Sequence, residues 1–211
     1  MRTVKTAEDR REEILNGALK LFLERGFGTT SIDRIVAELH VSKGLVFYHF
    51  GSKEELVAAV VGRIADRVAA PAVRMLETEA EFSDKIAQAL RYFLAFSLEY
   101  KMRFHDFVDG SSLRVLNQIQ EAVFRRIEPS LRRMVSDGIA RGETDNPYAV
   151  ESLAILVLGG IAYMDLHSSS DGFDRAGFVR SMAVSAERTL GMRPGLIVSR
   201  ITDAMEKEPT T

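Results

Sequence analysis

Cysteine and tryptophan are absent from the 211 residues, proline occurs five times and histidine four. Without cysteine there is no disulfide, no thiolate nucleophile and no sulfur ligand for a metal, and the composition fits a cytoplasmic protein. No run of 18 or more apolar residues occurs, so no membrane partner is expected. The opening "MRTVKTAEDRREE" is charged and lacks an apolar signal centre, so no export is expected. Net charge is −2, and residues 1–56 carry nine basic and nine acidic side chains, so bulk charge points to no polyanionic partner. No serine–histidine–acid motif, phosphate loop or paired carboxylate stands out, which argues against an enzyme. His105, Asp106 and Asp109, or Asp165 and His167, lack the i, i+4 histidine pair or sulfur ligands of a common metal site. No metal or cofactor is expected.

What remains is helix. Ile14, Leu15, Ala18, Leu21 and Phe22 recur at helical spacing and make one apolar face, ended by "RGFG", where Gly26 suits the position past a helix end. "TTSID" restarts the helix with Thr30 as the expected N-cap, and Ile32, Ile35, Val36 and Leu39 form its stripe. Ser42 caps a third helix that Gly51 stops, and Ser52 with Glu55 opens a long fourth one to about residue 75. Further amphipathic segments are expected at about 82–100, 103–110, 112–141, 147–168 and 174–190, with a last short piece after "MRPG". Pro129 predicts a kink or break, and Pro147 a helix start. No alternating strand pattern occurs, so the fold class is all-α.

"VSKGLVFYHFGSKEEL", residues 41–56, sets four ring side chains in a row, Phe47 to Phe50. Neighbours on a helix point about 100° apart, so some of these rings must face outward. Two short helices, 31–39 and 42–50, separated only by "HV" and their caps have the layout of a helix-turn-helix, whose second helix enters the major groove. Val46, Phe47 and Phe50 would then face the first two helices, leaving Lys43, Gly44, Leu45, Tyr48 and His49 outside. A tyrosine hydroxyl and an imidazole can donate to phosphate oxygens. Gly44 permits close approach to base edges, and Leu45 can meet a thymine methyl. Ser52 and Lys53 start the next helix, where free N–H groups favour a phosphate.

"RGFGTTSIDRIVAELHVSKGLVFYHFGSKEEL" resembles the DNA-binding segment of the tetracycline-repressor (TetR) family, over about residues 10–57. The resemblance implies that Thr29, Thr30, Lys43, Tyr48, His49 and Lys53 contact DNA backbone or bases, with Ser42, Gly44 and Leu45 on the same surface. Leu45 departs from the small or hydroxyl residue common there, which bears on base preference.

The domain division expected is 1–56 for DNA binding and 57–211 for ligand binding and dimerisation. "LAILVLGGIAYM", residues 153–164, is apolar on every face and too short to span a bilayer. Such a helix needs partners on all sides: its own domain on one, a second subunit on the other. Leu153, Leu156, Val157, Gly160, Ile161 and Met164 are the expected seam, with Val179, Met182, Ala183, Ala186 and Leu190 as the companion face. The family resemblance implies a four-helix dimer interface from these two helices. Residues 91–107 hold six of the seventeen aromatic residues, either solid core or a ring-lined cavity. The lining expected for a cavity is Phe93, Phe96, Met102, Phe104, Phe107 and Phe124, with Tyr163 and His167 as polar members. The function these features imply is a homodimeric transcriptional repressor that leaves a pseudo-palindromic double-stranded operator when a small apolar or amphipathic effector binds. The alternatives are an interaction protein that kept the helix-turn-helix without DNA binding and, less favoured, an enzyme of small apolar substrates.

Overall fold

The structure is a computed structural model describing residues 6–104, 110–167 and 172–206, with side chains throughout those ranges except at 94, 96–104, 110–113, 165 and 203–206. The described residues form nine α-helices and no strand: α1 (Ala7–Arg25), α2 (Ile32–Leu39), α3 (Lys43–Phe50), α4 (Lys53–Leu76), α5 (Phe82–Phe104), α6 (Gly110–Ala140), α7 (Ala149–His167), α8 (Arg175–Thr189) and α9 (Leu196–Glu206). The chain divides into two compact units, one of Met1–Val68 with Met102–Phe124, the other of Ala69–Lys101 with Arg125–Thr211.

In the first unit, α1 starts from a reciprocal cap in which Thr6 and Asp9 each bind the other's backbone N–H. Its expected face is buried throughout, and Phe22 stacks on Phe27 at 4.8 Å between ring centroids. Burying each such side chain contributes roughly 1.5–3 kcal/mol, enough to hold a helix that propensity alone would not. Close packing of α1 on α2 depends on Gly17, because a Cβ there would lie 2.3 Å from Leu39 Cδ2. Arg63 Nη2 of α4 lies 2.6 Å from both carboxylate oxygens of Glu12 on α1. That hydrogen bond holds the Glu12 carboxyl below its ordinary range and the Arg63 guanidinium above its own.

In the second unit, α7 packs on α8 and α8 on α9. Glu187 on α8 is almost fully buried and accepts from the backbone N–H groups of Gly195 (2.8 Å), Ile197 (2.6 Å) and Val198 (2.9 Å). One side chain thus satisfies three orphan donors at the start of α9, and its charge suits that positive helix end. Arg200 of α9 pairs with Asp84 and, at 2.5 Å, with Glu81.

Several expectations need correction here. Helix α6 runs on through Pro129, so the expected alternative of a break there does not occur, while α4 extends through Pro71 to Leu76, in line with its expected reach to about residue 75. Proline deletes one i→i−4 bond, and tertiary packing of the remaining turns outweighs that loss. Gly110, the expected end of the 103–110 segment, is instead the first residue of α6. Helix α7 starts at Ala149, two residues after Pro147, because Asn146 Oδ1 binds the Tyr148 N–H at 2.8 Å and makes a turn first.

Candidate nucleic-acid interface

The turn between α2 and α3 is built by local hydrogen bonds. Ser31 caps α2 through the Arg34 N–H (3.2 Å), and Ser42 caps α3 through the Leu45 N–H (3.2 Å). His40 closes α2 in the left-handed conformation at φ 51°, ψ 43°, and its N–H donates to the Val36 carbonyl. Gly51, at φ 62°, ends α3, and Ser52 Oγ then accepts from the Glu55 N–H at 3.1 Å to open α4.

Two expectations about this segment fail. Thr30 is not the cap of α2; it is fully buried, and its hydroxyl donates to the Gly26 carbonyl at 2.7 Å. A buried, committed hydroxyl is not available to a duplex, so Thr30 leaves the contact set. Phe47 does not face the first two helices: it is 39% exposed, against 0% for Val46 and 3% for Phe50. With Val46 and Phe50 fixing the buried direction, about 100° per residue puts Phe47 and His49 roughly 80° to either side. Gly44 and Tyr48 then point nearly opposite the core. Sequence reasoning missed Phe47, although the same angular spacing would have found it.

The exposed residues of the segment are Ser42, Lys43, Gly44, Phe47 and Tyr48, beside the half-buried Leu45 and His49; Lys43, three residues before Val46, is exposed at the helix start on the side of α2. Tyr48 is 78% exposed, with the His49 ring edge-on at 5.1 Å. A Cβ at Gly44 would meet nothing within 4 Å, so no packing among the described residues requires a glycine there. Thr29 is exposed, but its hydroxyl donates to the Arg25 carbonyl. The Lys43 ammonium lies 2.8 Å from Asp33 Oδ1 on α2. Lys53, half-buried, is the first residue of α4, next to Glu54 and Glu55 in the same turn. From behind, the Arg11 guanidinium sits 5.1 Å over the Phe50 ring and supports α3.

The expected dimer residues are mostly turned inward. Leu153, Met164, Met182, Ala183, Ala186 and Leu190 are buried inside the second unit. Gly160 is buried too, and a Cβ there would lie 2.6 Å from Met182 Cε. Leu156, Val157, Ile161 and Val179 are half-buried. The open face of α7 is a different stripe: Ile155 (74% exposed), Leu158 (43%) and Leu166 (77%), with Gly159 and Ala162 between them. A helix that is apolar all round carries no asymmetry from which a sequence reading can choose its buried side.

Of the expected cavity residues, Phe107 lies outside the described residues, as do the side chains of Phe96, Met102 and Phe104. Phe93 and Phe124 are half-buried. Tyr163 stacks on His167 at 4.2 Å and on Phe178 at 5.5 Å, so the two expected polar members are part of a ring cluster on α7 and α8. His105, Asp106 and Asp109 lie outside the described residues, as does the Asp165 side chain.

Residues 14–60 match the model of the family "Bacterial regulatory proteins, tetR family". The HTH-type transcriptional repressor Rv3405c of Mycobacterium tuberculosis is 41% identical over 98 residues, 42% of this chain and 50% of that protein, so the chain spans about half its length. The HTH-type transcriptional activator FasR of Mycolicibacterium smegmatis is 26% identical over 191 residues, 77% of this chain and 87% of that one. The structure of RolR in complex with resorcinol superimposes at a TM-score of 0.65 with 19% identity, covering 93% of this chain and 94% of that one. Residues 14–60 thus carry the helix-turn-helix segment described by the tetR family model, and the backbone as a whole shares the fold of RolR.

Proposed function

We propose that this chain is a homodimeric, ligand-responsive transcriptional regulator that binds double-stranded DNA through α3. The observation that carries this reading is the outward surface of α3. A capped helix presents a glycine whose Cβ position is open among the described residues, beside a tyrosine that is 78% exposed. Placed in a major groove, Gly44 admits base edges to the backbone while Leu45 and Phe47 offer apolar contact to thymine methyls. Tyr48, His49 and Lys53 supply donors to phosphates, and Ser42 keeps the helix start rigid. A neutral reader gains little from bulk attraction, so close fit must supply most of its affinity.

The open stripe of α7, Ile155, Leu158, Gly159, Ala162 and Leu166, fits a second copy of itself across a two-fold axis. A dimer sets two reading helices about 34–36 Å apart on a pseudo-palindromic operator. A ligand that prefers a differently spaced state lowers operator affinity by its differential binding. RolR was solved with a small aromatic ligand, which supports a small apolar or amphipathic effector here. Among relatives, one is named a repressor and another an activator; we favour repression. Division of labour follows residues 1–56 for DNA and 57–211 for ligand and dimer. The test is selection of genomic fragments by the purified protein, followed by binding at increasing salt. Recovery of a shared inverted repeat supports the reading, and absence of any salt-dependent DNA binding refutes it.

A further inference from the structure

Asp33 is out of place on a surface that meets a polyanion. Its side chain is 74% exposed and its Oδ1 lies 2.8 Å from Lys43 Nζ, at the first position of the reading helix. The fold does not need this contact: Ser31 already caps α2, and exposed ion pairs contribute little to stability. Lys43 is, however, the one lysine or arginine of the helix "KGLVFYHF", exposed at its first position. A lysine free to swing would meet phosphates of any sequence with equal ease. Held along α2, it meets the duplex in one place only.

We propose that Asp33 is a specificity-determining positioning residue of the reader. Its carboxylate holds the Lys43 ammonium in register and offsets its charge, which keeps affinity for random DNA low relative to the operator. This inference rests on the DNA-binding reading above. It fits the balance of nine basic and nine acidic residues in positions 1–56. A reader built this way discriminates by suppressing wrong sites as well as by favouring the right one.

The experiment uses the full chain with Asp33→Asn, Lys43→Met and the double variant. Each is titrated with a labelled random-sequence duplex and with a selected genomic fragment, over a salt series. Asp33→Asn is expected to tighten binding to the random duplex about fourfold at low salt, the effect of one unit charge about 5 Å from a phosphate in a water-like dielectric. Its salt slope should steepen by about one, because the freed lysine displaces a further counterion. The preference for the selected fragment should fall, and in the Lys43→Met background the slope should stay where Lys43→Met alone puts it. An Asp33→Asn protein that melts like the parent but keeps its slope and preference would overturn the inference while leaving DNA binding intact. The same slope change in the Lys43→Met background would also overturn it, since the carboxylate would then act without the lysine. A parent protein that binds neither duplex would overturn the DNA-binding reading and this inference with it.

Discussion

Gly44→Ala separates folding from function in this chain. Gly44 is the second residue of α3, and a Cβ there meets nothing within 4 Å. Glycine in a helix is less stable than alanine by roughly 0.5–1 kcal/mol, chiefly because the unfolded chain has more freedom to lose. With open space around the added methyl, the variant should therefore be more stable than the parent by about 0.5 kcal/mol, taking the lower end for a helix terminus. For a chain of this size that corresponds to a rise of roughly 1–2 °C in melting temperature. On DNA the sign reverses. The methyl occupies the space through which base edges would approach, so affinity for the operator should fall about tenfold or more, equivalent to ~1.4 kcal/mol. Gly17→Ala is the control with the opposite logic. Its methyl would lie 2.3 Å from Leu39 Cδ2 and 2.8 Å from Cδ1, so Leu39 or the α1–α2 spacing must give way. Overpacking of that kind costs about 1–3 kcal/mol, more than the propensity gain returns. Thermal unfolding and operator titration of both variants make the test. A Gly44→Ala protein that is less stable, or that binds the operator as the parent does, would refute the assignment of that open space to DNA.

Other substitutions probe the remaining contacts. Ile155→Glu or Leu158→Glu should leave a folded monomer, whereas Gly160→Glu should unfold the second unit by burying a carboxylate against Met182, at a cost of about 3 kcal/mol or more; sedimentation with circular dichroism distinguishes these outcomes, and an intact Leu158→Glu dimer would place the interface elsewhere. Glu187→Ala should destabilise the protein by about 2–4 kcal/mol, because three backbone N–H groups at the start of α9 lose their acceptor; a loss under about 1 kcal/mol in urea unfolding would mean water replaces it. The Glu12 carboxyl is held low by Arg63, so its contribution is complete above the ordinary carboxylate range and is lost as pH falls through the lowered folded value. Glu12→Gln should accordingly lower stability at neutral and alkaline pH and leave it unchanged below the lowered folded value, which flattens the acid limb; an unchanged acid limb would show that the pair does not titrate with folding.

Much of the reader was legible in the sequence because its signals are local. Ser42 and Gly51 delimit α3 through hydrogen bonds spanning three or four residues, and a cap is recognisable wherever those bonds close within one turn. The inward face of α1 was legible for a similar reason, since 3.6-residue periodicity marks one side of an amphipathic helix. Where two candidate caps stood together, Thr30 and Ser31, the choice passed to tertiary structure: the Gly26 carbonyl takes the Thr30 hydroxyl and leaves Ser31 to cap. Apolar character alone misplaces Phe47, whose ring is partly exposed because the angular spacing sets it to one side of the buried direction fixed by Val46 and Phe50.

The second unit shows the limit more sharply. From the sequence alone α7 must bury apolar surface on more than one side, and that holds whatever it packs against. Which stripe faces its own unit was decided by Met182 and Phe178 of α8, which fill the space over Gly160 and leave Ile155, Leu158 and Leu166 outside. Likewise nothing near Glu187 in sequence announces that its carboxylate closes the start of a helix eight to eleven residues away. Periodicity and capping report interactions along one helix, whereas sidedness and partner choice depend on which surfaces meet, and those are set by packing between segments far apart in the chain.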